Sequence, residues 1–182
     1  MTLQNQRALF VGRFQPFHLG HQEAILQILR DHEEVIIVIG SAQNSHDVNN
    51  PFTAGERIMM IREALNALGV DAVRYYLIPI PDSSMHAIWT AQVIAYCPEF
   101  SVVYSNEPLT RCLFKEAERE VRPIPMLKRT IYCSTEIRER MLKNGTWQHL
   151  VPASVVKVIE RIHGIERLKD LIKSDSPFIT KQ

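Results

Sequence analysis

Cysteine is scarce in this chain of 182 residues: Cys97, Cys112 and Cys133 stand far apart, with no CxxC pair. That spacing argues against a disulfide framework and fits a reducing compartment. Long apolar runs are also missing. The longest is VIIVI, Val35 to Ile39, far too short to span a membrane. The opening MTLQNQR has no apolar signal core, which predicts a cytoplasmic protein. Charge of one sign is absent too: 21 Lys and Arg against 20 Asp and Glu leave a net charge of +1. With no long basic run, nucleic-acid binding is not expected as the main task, although a local positive pocket is compatible with this balance. Repeats, low-complexity stretches and long linkers are lacking. What is present, 46% hydrophobic and 23% charged residues, suits a globular protein, and the length predicts one domain over 1–182.

Short apolar runs alternate with helical patterns. ALFV (Ala8 to Val11), VIIVIG (Val35 to Gly40), YYLIPI (Tyr75 to Ile80) and FSVVY (Phe100 to Tyr104) each precede a helix, and a weaker VRPI follows near Val121. Non-alternating strands interleaved with helices predict an α/β fold, a Rossmann-like parallel sheet with helices on both faces. From about Pro152 the pattern becomes all-helical, with a stop at Gly164 and a frayed tail over 174–182. Thr53-x-x-Glu56 reads as a capping box, opening a helix with an apolar stripe at Ile58, Ile61, Leu65 and Leu68 and an end at Gly69. In open parallel sheets ligands bind beyond the carboxyl ends of the strands. The loops after Gly12, Gly40 and Ser105 are therefore expected to meet around one pocket.

The most informative stretch is GRFQPFHLGH, Gly12 to His21. A strand empties into it and a helix begins near Leu19 or Gly20, so unpaired N–H groups and the positive dipole end form an anion site. Arg13, His18 and His21 surround that site, the histidines being three apart and able to face one ligand. Gly20 between them would let a ligand come close to the backbone. Metal ligation and plain helix capping are the other readings of the two histidines, but a zinc site needs a third ligand. The chemistry suggested is a polyphosphate held by donors.

A second constellation is Cys133-Ser134-Thr135-Glu136-Ile137-Arg138. Ser134 reads as an N-cap and Glu136 suits the first turn. Arg138 lies one turn in and leans back toward the helix start, where its guanidinium can grip an anion in bidentate fashion. An exposed arginine on a charged helix is the alternative. GSAQNSH, Gly40 to His46, has a Gly/Ser start that invites a phosphate-loop reading, but it lacks the lysine and the length of a Walker loop and reads equally as a plain turn. Trp89 reads either as a core residue beside Ile88 and Val93 or as a plate for a flat ring.

HLGH is similar to the HxGH signature of the nucleotidyltransferase superfamily. GRFQPFHLGH, with GSAQ and PFTAGER downstream, closely resembles the archaeal-type nicotinamide mononucleotide (NMN) adenylyltransferases. Ser134 to Arg138 resembles the (S/T)xxxR-type motif that accompanies HxGH. The resemblance runs from about Arg7 to Lys173 and implies ATP contacts at Gly12, Arg13, Phe14, His18, Gly20, His21, Ser134, Thr135 and Arg138. Among these, His18, His21, Arg13 and Arg138 would be catalytic. It implies NMN contacts at Ser41, Gln43 and Asp82, with Trp89 stacking on nicotinamide, and a homohexamer. Departures are His86, where the family usually has Asn, and Ser105-Asn106-Glu107-Pro108 in place of SGNP, an acid being unexpected beside a nucleotide pocket. Ser134 stands where the archaeal group has glycine.

The expected reaction is transfer of AMP from ATP to NMN, giving NAD and diphosphate. Mg²⁺ is expected to be bound largely by the nucleotide, since it keeps several waters and takes few protein ligands. Other HxGH transferases, using nicotinate mononucleotide, FMN, phosphopantetheine or a CTP-linked substrate, and a silent nucleotide sensor are the alternatives.

Overall fold

A computed structural model describes residues 7–124 and 132–173. In chain order it runs β1 (Arg7–Gly12), α1 (Leu19–Asp31), β2 (Glu34–Ile39), α2 (Ala54–Ala67), β3 (Tyr75–Pro79), α3 (His86–Tyr96), β4 (Val102–Tyr104) and α4 (Pro108–Glu116). β5 (Glu120–Arg122), α5 (Ser134–Leu142), α6 (Ala153–Arg161) and α7 (Gly164–Lys173) follow. The five strands form one sheet in the order β3-β2-β1-β4-β5, and every neighbouring pair is parallel. This is the Rossmann-like α/β arrangement that the sequence predicts. The frayed tail expected over 174–182 lies outside the described residues.

The apolar runs of β1 and β2 do not alternate with polar residues because both faces of the sheet are covered. Ala8, Phe10, Val35, Ile37 and Ile39 point into a core shared with α1, α2, α5, α6 and α7. Leu9, Ile36, Val38 and Val103 point the other way, onto Val93 of α3 and Phe114 of α4. Strand order reverses direction at β1, whose two neighbours are β2 and β4. The crevice beyond the carboxyl end of β1 is therefore where such a sheet takes a ligand.

Three local expectations are corrected. The buried stripe of α2 is Arg57, Met60, Ile61, Ala64 and Leu65, while Leu68 is exposed at the C-cap. The capping box at Thr53 and Glu56 forms as expected, Thr53 Oγ accepting from Glu56 N at 3.2 Å and Glu56 accepting from Thr53 N at 2.9 Å. Helix α6 does not run to Gly164. It ends at Arg161, His163 takes a left-handed backbone (φ 51°), and Gly164 opens α7 instead. A Cβ at Gly164 would stand 2.8 Å from the Phe52 ring, so close packing selects that glycine. Finally, the N-cap of α5 is Cys133, without a side-chain cap bond, and Ser134 is the first helical residue.

Candidate active site

At the C-terminal end of β1 the chain enters the Arg13 to His18 turn, with Phe14 in a left-handed conformation (φ 53°). The Phe14 ring folds back under Gly12, where a Cβ would lie 2.6 Å from it, which is why glycine stands there. Phe14 and Phe17 are buried, and both rings pack against His21. Phe14 therefore has only its backbone left for a ligand. Its ring is a wall behind the histidine.

His18 and His21 cap the helix reciprocally. His18 Nδ1 accepts from His21 N, and His21 Nδ1 accepts from His18 N, both at 3.3 Å, and the two rings stack with centroids 3.5 Å apart. The structure shows the cap reading, and capping occupies Nδ1 and places the proton on Nε2. Burial pushes His18 down to about 4. Burial, reinforced by the neighbouring His18, holds His21 well below the usual imidazole range. Both rings are neutral Nε2–H donors at neutral pH. Gly20 is buried too, and the space of its missing Cβ is taken by Tyr132 (3.0 Å) and the His18 ring (3.1 Å). A side chain there would press on both, so close packing within the chain favours a glycine.

Three side chains lock this turn to the segment after β2. Arg57, fully buried, donates from Nη1 to Arg13 O (2.9 Å) and Gly40 O (2.8 Å), from Nη2 to Ser41 O (3.1 Å), and from Nε to Thr53 O (3.3 Å). Arg138, 5% exposed, donates to Gln15 O (2.8 Å), Val48 O (3.0 Å) and Thr135 Oγ1 (3.4 Å). Gln15 exchanges two hydrogen bonds with the Phe52 backbone, at 2.8 and 3.0 Å. Ser134 Oγ donates to Pro16 O at 3.2 Å, so it tethers α5 to the same turn in place of capping its own helix. Burial lowers the Arg57 guanidinium to about 10 and also lowers Arg138, and nearby Arg13 presses both in the same direction. Arg13 itself is exposed. Three guanidinium groups therefore close on one turn, a strong local positive field in a chain of almost zero net charge.

The structure also brings Ser41, Gln43 and Asp82 together. Asp82 accepts from Ser41 Oγ (3.1 Å), Gln43 Nε2 (3.2 Å) and Asn44 Nδ2 (3.3 Å), and its backbone N–H donates to Gln43 Oε1 (2.9 Å). Gly40 N to Gly12 O (3.0 Å) and Ala42 N to Ile80 O (3.2 Å) carry the contact across the ends of β1, β2 and β3. The loop after β4 is bonded elsewhere: Ser105 N reaches Arg122 O, and Asn106 pairs with the Ile124 backbone. The unexpected Glu107 has a structural task there, capping α4 by accepting from Thr110 N at 2.5 Å. Trp89 is half-buried on α3, edge-on to Phe114 at 6.0 Å, and packs against the second core. Its Nε1–H is buried with no partner among the described residues.

Arg57 and Gln15 are the side chains that sequence reasoning missed. A signal for Arg57 existed, because it occupies the first position of a 57, 60, 61, 64, 65 pattern whose other members are apolar.

Comparison with known proteins identifies the family and the fold. Residues 9–140 match the cytidylyltransferase-like family. The nicotinamide-nucleotide adenylyltransferase of Methanolobus tindarius is 50% identical over 173 residues, 95% of this chain and 98% of that protein. That of Thermoplasma volcanium is 48% identical over 174 residues, 96% and 97% of the two chains. Among solved structures, a bifunctional NMN adenylyltransferase/ADP ribose pyrophosphatase from Francisella tularensis superposes with a TM-score of 0.80 at 20% identity, over 96% of this chain and 58% of that one. The same enzyme complexed with AMP and a manganese ion gives 0.76. At that identity these structures speak for the fold alone. The chain belongs to the cytidylyltransferase-like family of nucleotidyltransferases and stands among the archaeal nicotinamide-nucleotide adenylyltransferases.

Proposed function

We propose that this enzyme transfers AMP from ATP to NMN, forming NAD and diphosphate. The observation that carries the reading is the β1–α1 turn, which sets two neutral histidine donors at the head of α1 in the same turn as the exposed Arg13, with the Ser41–Gln43–Asp82 cluster at the ends of the neighbouring strands. The NMN phosphate is already an anionic nucleophile near neutral pH, since a monoester's second pKa is about 6. One of its oxygens attacks the α-phosphorus of ATP, the bond to the bridging oxygen breaks, and diphosphate leaves with that electron pair. Neither a protein nucleophile nor a general base is required.

Catalysis is alignment plus stabilisation of charge on the transferred and departing phosphates. His18 and His21 act through Nε2–H, and Arg13 acts as a mobile exposed cation. Gly12, Phe14 and Gly20 contribute backbone, and Ser134, Thr135 and Arg138 complete the triphosphate side. Arg138 is engaged with carbonyls in the free protein, so its part in ATP binding requires Nη2 to exchange Thr135 for a phosphate oxygen. Ser41, Gln43 and Asp82 offer hydrogen-bonding groups to the acceptor nucleotide, and Trp89 supplies the ring plate. Among the described residues no group of three His, Cys, Asp or Glu side chains could hold a metal. Mg²⁺, which keeps several waters and takes few protein ligands, would enter on the ATP phosphates and neutralise charge there.

Among the described residues no helix is long and apolar enough to cross a membrane. A cytoplasmic homo-oligomer, a hexamer on the family's pattern, is part of this reading. Helix α3 exposes an apolar face suited to a second copy, at Met85 (60% exposed), Ile88 (46%) and Tyr96 (65%). The deciding assay incubates protein, ATP and Mg²⁺ with NMN, nicotinate mononucleotide, FMN and phosphopantetheine separately. NMN should give NAD and diphosphate in equal amounts. Turnover of phosphopantetheine alone, or ATP binding without any turnover, would refute the reading.

A further inference from the structure

Arg57 is a cation with no exposed surface and no carboxylate in contact among the described residues; four backbone carbonyls are its entire set of hydrogen-bond partners there. For stability alone this is a poor choice, since a well-packed apolar side chain usually serves a buried position as well or better. Its neighbours on the same helix face, Met60, Ile61, Ala64 and Leu65, show what the position would otherwise hold. The carbonyls it binds are distributed in a particular way. Arg13 O belongs to the turn that faces the phosphates, and Gly40 O and Ser41 O belong to the loop of the acceptor cluster. Thr53 O is the cap of its own helix. One rigid planar group therefore spans the two loops, with a single nitrogen, Nη1, bonded to both.

We propose that Arg57 is a positioning residue for adenylyl transfer, fixing the separation between the loop that holds ATP and the loop that holds the acceptor. The inference rests on the proposed reaction in one respect, the assignment of the two loops to the two substrates. Each loop keeps its own internal bonds without Arg57: the reciprocal histidine cap on one side, and the Ser41–Gln43–Asp82 cluster on the other. What Arg57 adds, beside the backbone bond from Gly40 N to Gly12 O, is a side-chain clamp on their relative placement. Misplacement of reacting groups by about 1 Å costs on the order of a hundredfold in rate, because the transfer needs in-line geometry.

The test compares wild type, Arg57→Lys and Arg57→Met, with Leu168→Ala as a variant destabilised in the core on α7, outside both loops. For each, kcat is measured per mole of folded protein well below the melting midpoint, alongside the separate dissociation constants of ATP, NMN and NAD. The dinucleotide spans both loops, whereas ATP and NMN alone do not. In Arg57→Lys, kcat should fall about tenfold and in Arg57→Met about a hundredfold, the scale set by loss of alignment. NAD should bind about tenfold more weakly by the same argument, while ATP and NMN taken singly change less than about threefold. Leu168→Ala should lose thermal stability and keep its kcat. Equal weakening of all three ligands, or an unchanged kcat in a folded Arg57→Met, would overturn the proposal. Failure of both Arg57 variants to fold with ATP and NMN present, while Leu168→Ala folds, would likewise reduce Arg57 to a structural role. Failure of wild type to convert NMN is a separate result, counting against the proposed reaction and not against the loop spacing.

Discussion

At the scale of single residues, the proposed hold on a polyanion rests on the histidine pair. A buried imidazole held neutral gives a directional donor that stays the same through neutral pH. Removing one donor aimed at charge that develops in the transition state typically costs a hundredfold to a thousandfold in kcat. His21→Ala should therefore lower kcat by about that factor and leave KM for ATP nearly unchanged, which steady-state kinetics can separate. The same burial links the pair to stability. His18 binds its proton less readily folded, at about 4, than unfolded, near the ordinary 6.5, so the unfolded chain takes up more protons between those values. Stability is full above pH 6.5 and declines as pH falls toward 4. Between pH 7.5 and 5 the His18 contribution should shrink by about 2 kcal/mol, a loss that urea titrations of the free protein would show and that His18→Asn would remove. A pH-independent difference between the two proteins would contradict the neutral-donor assignment.

Trp89 is the residue where two roles compete. It touches Phe114 and the second core, yet its Nε1–H has no partner among the described residues. Stacking on a bound ring persists through the reaction, so Trp89→Ala should raise KM for NMN about fivefold to a hundredfold with kcat unchanged. Phe should restore most of that affinity. A large fall in melting temperature with unchanged NMN affinity would assign Trp89 to the core.

At the scale of elements, α1, α2 and α5 all point their beginnings at one turn, and buried side chains join them. Arg138 is the joint of α5, and its loss leaves Gln15 O and Val48 O without their donor. A buried unsatisfied polar group costs about 1–3 kcal/mol, so Arg138→Ala should lose thermal stability as well as kcat. Arg138→Lys should recover little of either, because one ammonium cannot reproduce the planar fork. A melting curve and a rate measured on the same sample check both halves.

The elements themselves were legible in the sequence. Buried strands such as VIIVI and the capping box at Thr53 carry local patterns that the structure keeps. The turn and its histidines were legible too, through GRFQPFHLGH. The clamp was not. Arg57 looks like any polar residue until its helix face is counted, and the carbonyls it binds come from 16 and 44 positions away in sequence. Ser134 misled for a related reason: a good capping residue was claimed by the distant Pro16 carbonyl, and the N-cap position fell to Cys133. Long-range contacts overrode local preference in both places.

At the scale of the whole molecule, the sheet order places β1 at the reversal of direction, and the histidine turn lies at its carboxyl end. A net charge of +1 conceals the convergence of Arg13, Arg57 and Arg138, which sets a local positive field at the site. The exposed apolar face of α3 belongs to this scale as well. Tyr96→Glu should shift the protein to a smaller assembly by light scattering, and an unchanged mass would place any subunit contact elsewhere.

The central claim is that ATP and the acceptor react directly, aligned by a preformed site with no covalent enzyme intermediate. The most direct measurement uses ATP carrying a chiral α-phosphorothioate, with NMN as acceptor, and determines the configuration of the phosphorothioate in the dinucleotide formed. A single in-line displacement predicts inversion at the α-phosphorus. Retention would require two displacements and a protein nucleophile, and would contradict the account.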